Sequence, residues 1–253
     1  MSRPGTPWLF ALAYLVILEV MLVAAVLYWP DLAANLPAAR RLAAPIPVLG
    51  QFVERVSETG VRGYLIGQHF FKGCNTLGTA AAVLFAAPAI AGEAHRGTLE
   101  LLLARPHSRA RLLLERWAGG AVAVTVPVFL STLTIPLLCA RVNEVQPYGP
   151  LLWCALHQSL FLLAIHALAF LCSALGSHPT KIALAILFFT TFEFSIYMVK
   201  VVTHWSVFRL CDLDTLLAVA DGGRLDARLV LPLLAWIALC VGAALFAFRR
   251  RSP

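Results

Sequence analysis

The chain has 253 residues, 60% of them hydrophobic and 13% charged, with a mean hydropathy of +0.81 and a net charge of +7. That is more apolar material than a soluble domain buries, so the solvent around it is a bilayer. The basic balance does not require nucleic acid as a partner, because the inner surface of a membrane attracts the same charge.

Six apolar stretches occur at about 8–29, 64–91, 112–140, 151–175, 181–203 and 229–248, each near or above the roughly 20 residues that a spanning helix needs. The predicted fold is all-α: one polytopic membrane domain over 1–253 with six transmembrane helices. The first stretch is too long for a signal-peptide core and has no persuasive cleavage site before Trp29-Pro30, so it reads as a retained span. In the connection 30–63, Val48, Leu49, Phe52, Val53 and Val56 recur at helical spacing before Ser57, Thr59 and Gly60. A short amphipathic helix at the outer surface and a plain connector fit this pattern equally well.

In the second span, Gln68, Lys72, Asn75 and Thr79 fall within an arc of about 60° on an α-helix and form one polar stripe. A charge in lipid costs roughly 2.5–3.5 kcal/mol on insertion scales, so Lys72, Glu19 in the first span and Glu193 in the fifth need an account. Lys200 lies near the outer end of the fifth span and can snorkel. Two readings stay open. In one, Glu19, Gln68, Lys72, Asn75, Thr79 and Glu193 line a substrate path. In the other, Lys72 pairs with a Glu, and Asn75 and Thr79 bond across helices as packing glue.

The connection 93–111 between the second and third spans is compact, charged and punctuated. Gly97 and Thr98 break and restart the chain, Thr98 is placed to cap a short helix, and Pro106 ends it after about two turns. Ser108 is placed to cap the next span. Leu99, Leu102 and Leu103 share one face at i, i+3 and i+4, while Glu100 and Arg105 point elsewhere. Such a knob suits another protein's groove. The later link at 176–180 is minimal, whereas 204–228 offers Asp214 as a cap, an apolar turn and a Gly222-Gly223 stop, predicting a small lid helix.

Charge sets the orientation. With the amino terminus inside, the inner segments hold ten Lys and Arg against three Glu, and the outer segments hold eight of each sign. The inner excess ends in the Arg249–Arg251 cluster directly after a span, which predicts both termini in the cytoplasm. Six cysteines without CxxC spacing read as small core residues. His157 and His166 lie on opposite sides of one helix and cannot share an ion, so no metal site is predicted. No Ser-His-Asp, HExxH or paired-carboxylate arrangement supports an intramembrane enzyme.

The pattern Glu93, Gly97, Thr98, Leu99, Glu100, Leu101, Leu102, Leu103, Pro106, Ser108 and Arg109 resembles the ABC-2 type transporter permeases, the membrane subunits of one class of ATP-binding-cassette transporters. It is similar to the single-domain bacterial permeases of nitrous-oxide reductase maturation and antibiotic export. The resemblance implies that 93–111 is a coupling segment seated in a cleft of a separate ATPase subunit, with Leu99, Leu102 and Leu103 as apolar contact and Glu100, Arg105 and Arg109 as rim. It implies a second permease copy, an inner-membrane location, and no cofactor on this chain, since ATP and Mg belong to the ATPase, of which two copies are expected. The start Gly73 to Gly78 is followed by Thr79 and is no Walker motif. One departure is the short arm of about seven residues before the first span, too little for the family's interfacial amino-terminal helix. Other expected partners are membrane lipids and a periplasmic protein at the outer loops. The readings from other classes are a secondary carrier or channel using Glu19, Lys72 and Glu193, and a non-transporting scaffold.

Overall fold

Five helices are long and apolar enough to cross a membrane in the computed structural model, which describes residues 6–103, 108–199 and 201–250, without the side chains of residues 6, 7, 47, 102 and 103. They are α1 (Thr6–Ala34), α8 (Arg109–Cys139), α9 (Tyr148–Leu175), α10 (Pro179–Met198) and α12 (Ala227–Arg250). No strand occurs among the described residues. The second predicted span is a continuous helical run with three parts: α4 (Val61–Leu65), a π-helix (Ile66–Gly78) and α5 (Thr79–Ala86). Short helices follow it, α6 (Ala91–His95) and α7 (Leu99–Leu103), and lead into α8.

α1 shows how an all-apolar helix chooses a face. Tyr14, Leu18, Leu22, Val26 and Trp29 recur every three or four residues and are buried, while Trp8, Leu12, Val16, Val20 and Leu27 face outward. Its helix passes through Pro30 instead of stopping there. α9 is the hub, packed against α8, α12, α5 and α11. Small residues let its neighbours come close: a methyl at Gly120 of α8 would lie 2.5 Å from His166 Cε1, and one at Gly78 would lie 2.6 Å from Leu162 Cδ1. His166 lies between two backbone carbonyls, with Nδ1 3.0 Å from Ala82 O and Nε2 3.4 Å from Trp117 O, and a neutral ring donates to one of them.

At the end of the bundle far from residues 93–111 sits a platform of α2 (Leu36–Ala43), α3 (Pro47–Thr59) and α11 (Leu213–Gly222). α3 is the amphipathic helix expected in the first long connection. Arg55 pairs with Asp214 at 2.8 Å and Arg62 with Asp221 at 2.9 Å, so the two long connections are tied together. The α11 cap is Asp212, which accepts from Thr215 N at 2.9 Å, and not Asp214, which is occupied by Arg55. Gly223, with φ of +56°, ends this helix in the left-handed conformation that glycine adopts without penalty.

Candidate functional site

Two places carry the polar chemistry: the 93–111 segment and the exposed side of the π-helix. The first begins at a break. Pro88 has no N–H to continue the helix, and residues 87–90 turn. Ser173 of α9 bridges this turn, its Oγ accepting from Ile90 N and Ala91 N at 3.0 Å each and donating to Ala87 O at 2.8 Å. The break is thereby stitched to the hub helix.

α6 then ends in a Schellman arrangement. Thr98 N donates to Glu93 O at 3.0 Å, Gly97 N donates to Ala94 O at 3.2 Å, and Gly97 takes φ of +67°. Glu93 is only 7% exposed, and its carboxylate accepts from Thr98 Oγ1, from Arg96 Nη2 at 3.1 Å and from Arg116 Nη2 at 3.2 Å. Burial alone raises its pKa, but the Thr98 hydrogen bond and the Arg116 and Arg96 charges together outweigh burial and hold the carboxyl below its ordinary 4.5. Arg116 also donates from Nη1 to Ala89 O at 2.8 Å, so one guanidinium of α8 holds both α6 and the turn that precedes it.

The Thr98 hydroxyl turns back to Glu93, so the residue expected to cap α7 ties it to α6. Of the expected docking face, only Leu99 has a described side chain. Leu99 is 8% exposed and packs into the core, whereas Leu101 is 71% exposed, with Glu100 exposed beside it. Burial wins because α7 lies against the bundle with the Leu99 side inward. Ser108 caps α8, accepting from Arg111 N at 3.2 Å, and Arg109 Nη1 donates to Arg249 O at 3.2 Å at the end of α12. Arg105, Pro106 and Lys200, and the side chains of Leu102 and Leu103, lie outside the described residues.

On the π-helix the predicted stripe splits. Lys72 and Thr76 are exposed and Gln68 half-buried, while Asn75 and Thr79 are buried. The physical reason is the winding: i→i+5 bonding turns each residue by less than the ~100° of an α-helix, so positions 68 and 75 drift to opposite faces. Asn75 joins a buried ring. Gln158 Nε2 donates to Asn75 Oδ1 at 2.6 Å, Asn75 Nδ2 donates to Cys211 O at 3.1 Å, and Cys211 Sγ donates to Gln158 Oε1 at 3.0 Å. Thr79 Oγ1 is buried with no hydrogen-bond partner among the described residues.

Lys72, Glu19 and Glu193 are not brought together. Glu19 turns to α8, accepting from Thr134 Oγ1 at 3.0 and 3.2 Å. Glu193 sits toward the end of α10, because that helix stops at Met198 and not near 203, and its Oε2 accepts from Val207 N at 3.1 Å. Lys72 forms no ion pair among the described residues; its contact is Gln68 Oε1 at 3.4 Å. The expected Lys–Glu pair is therefore absent there, as the three side chains project from different helices in different directions.

Around Gln68 and Lys72 two cavities of about 600 and 430 Å³ meet under α3. One opens toward α1, past Met21, Ala24 and Tyr28, and the other toward α10, past Phe194, Tyr197 and Met198. Phe52 of α3 borders both and fits against Gly67, where a methyl would lie 2.2 Å from Phe52 Cε2. Sequence reasoning missed Ser173, the grip of Arg116, and the Gln158–Cys211 partners of Asn75. Arg116 was visible only as one inner charge among ten.

The segment that resembles a coupling helix is thus joined to α8 through Glu93 and Arg116, and the turn before it to α9 through Ser173. No curated protein matches the chain. The family model for ABC-2 family transporter proteins matches residues 8–209, most of its length. The chain belongs to the ABC-2 family of transporter proteins and is an ABC-type permease, a multi-pass membrane protein of a family whose members are normally the non-catalytic membrane subunit.

Proposed function

We propose that this permease is driven by a separate ATPase that seats on residues 93–111, and that two copies of the chain enclose the substrate path. The observation that carries the reading is the double attachment of this segment. Glu93 is held by Arg116 of α8, and the break before α6 is held by Ser173 of α9. A push on α7 therefore reaches α6 through Thr98 and Glu93, α8 through Arg116, and α9 through the turn that Ser173 holds. Leu101 and Glu100 are the outward groups that meet the ATPase, with Leu99 holding the knob from beneath.

In this reading the helical run 61–86 is the sixth crossing, both termini face the cytoplasm, and the membrane is the inner one. The charge balance supports that orientation. The apolar outward faces of α1 and α10 flank the trough over Lys72 and meet a second copy, whose trough closes the path. ATP and Mg are bound by the ATPase. Glu19 and Glu193 are positioning residues, each tied to a neighbouring element, and Lys72 is the path-lining charge.

The experiment is isolation of the tagged full chain from native membranes in mild detergent. The expected result is co-purification of a protein with Walker motifs and ATP hydrolysis in the eluate. Turnover that is unchanged in a Lys72→Met variant assembling normally would overturn the path-lining role.

A further inference from the structure

Lys72 stands in an apolar setting and has no carboxylate partner among the described residues. Its side chain is exposed, it borders both cavities under α3, and among the described residues no acidic side chain lines either one. Polar company is limited to amides and hydroxyls such as Gln68, Tyr64 and Thr76. Most of the remaining lining is aliphatic or aromatic, from Leu32, Leu49 and Phe52 to Phe194. Both volumes fall in the ~300–1,000 Å³ range of ligand pockets, in which apolar walls and one or two placed polar groups are usual.

A lysine at membrane depth normally faces water or pairs with a carboxylate, and Glu19 and Glu193 are both engaged elsewhere. Two apolar lobes with, among the described residues, one positive charge at their junction complement a molecule of the inverse kind. The two lobes share Gln68 and Lys72, so one ligand can place its charged group there and its apolar part in either lobe. α3 covers the junction because Gly67 leaves room for the Phe52 ring.

We propose that the trough under α3 binds an anionic amphiphile, an acyl chain bearing a phosphate or carboxylate group, with that group on Lys72 Nζ and Gln68 and the chain in the flanking lobes. The proposal rests on the permease reading only in taking this molecule as cargo; binding is a property of the subunit alone. The Lys72 ammonium and a Gln68 amide N–H donate, and the anion accepts.

The test uses the purified full chain in neutral detergent without ATPase, with retained ligand counted by native mass spectrometry. The probes are oleoyl lysophosphatidic acid, oleate, monooleoylglycerol and inorganic phosphate. The two anionic amphiphiles are expected to bind, and monooleoylglycerol, which keeps the chain but not the charge, to bind about tenfold more weakly, the size of one charge-assisted hydrogen bond. Lys72→Met should lose the same factor for the anionic probes and Lys72→Arg should restore it. Equal binding of monooleoylglycerol, or displacement by inorganic phosphate at the same concentration, would overturn the proposal. So would unchanged affinity in Lys72→Met. The wild-type comparison of charged and uncharged probes decides the matter by itself if that variant does not fold. Binding that persists in a chain that recruits no ATPase would leave the site standing and remove the ATPase-driven reading.

Discussion

Arg116 of α8 and Glu93 of α6 meet at 3.2 Å, and the same guanidinium holds Ala89 O at 2.8 Å. This contact joins the short segment to a long helix, so its loss should act on coupling more than on insertion. Arg116→Met is expected to leave the chain in the membrane, to lower stability by about 1–3 kcal/mol through a buried carboxylate short of a partner, and to uncouple ATP hydrolysis from transport. Retained coupling ratio in a correctly inserted Arg116→Met protein would contradict this.

The same contact makes stability depend on pH with a fixed sign. Because the Glu93 carboxyl is held below its ordinary 4.5, its stabilisation is complete above that value and is lost as pH falls through the depressed one. Thermal melts of the wild type and Glu93→Gln should differ most near neutrality and converge in acid. A difference that stays constant with pH would show that the charge is irrelevant.

Gly97 adopts φ of +67° with no atom within 4 Å of where a methyl would stand. Any penalty at this position is therefore backbone strain and not crowding. Gly97→Ala should cost about 1–2 kcal/mol, and Gly97→Asn less, since Asn enters the left-handed region more readily. Equal melting temperatures for the three proteins would refute the account of this turn.

At Gly120 the argument is reversed, because the conformation is helical and the neighbour is close. Gly120→Ala pushes on His166, which is wedged between Ala82 O and Trp117 O, and should cost about 1–3 kcal/mol by overpacking. Gly119, one position earlier, meets nothing within 4 Å, and Gly119→Ala is the control, expected to stabilise by up to about 1 kcal/mol through helix propensity.

Most of the helices were legible in the sequence, because apolar runs of spanning length admit few alternatives. The break at Gly97 was legible too, since glycine has a specific backbone use there, but the turn of Thr98 back to Glu93 was not, because spacing alone makes Thr98 a cap for the next helix. The polar stripe was not. Its four residues align only at α-helical pitch, and the π-winding of Ile66–Gly78 separates Asn75 from Lys72. Nothing in the local composition announces that winding, and the partners that hold Asn75 inside, Gln158 and Cys211, are distant in sequence. The inward turn of Leu99 was equally hidden: spacing groups leucines on a face but does not say which way the face points.

The central claim is that an ATPase grips the outward side of α7. A photo-crosslinking residue placed at Leu101, with Leu99 and the far-end residue Trp205 as controls, tests it in native membranes. The account predicts an ATP-sensitive adduct with an ATPase from position 101 and none from 99 or 205. No adduct at 101, or adducts as strong at Trp205, would contradict it.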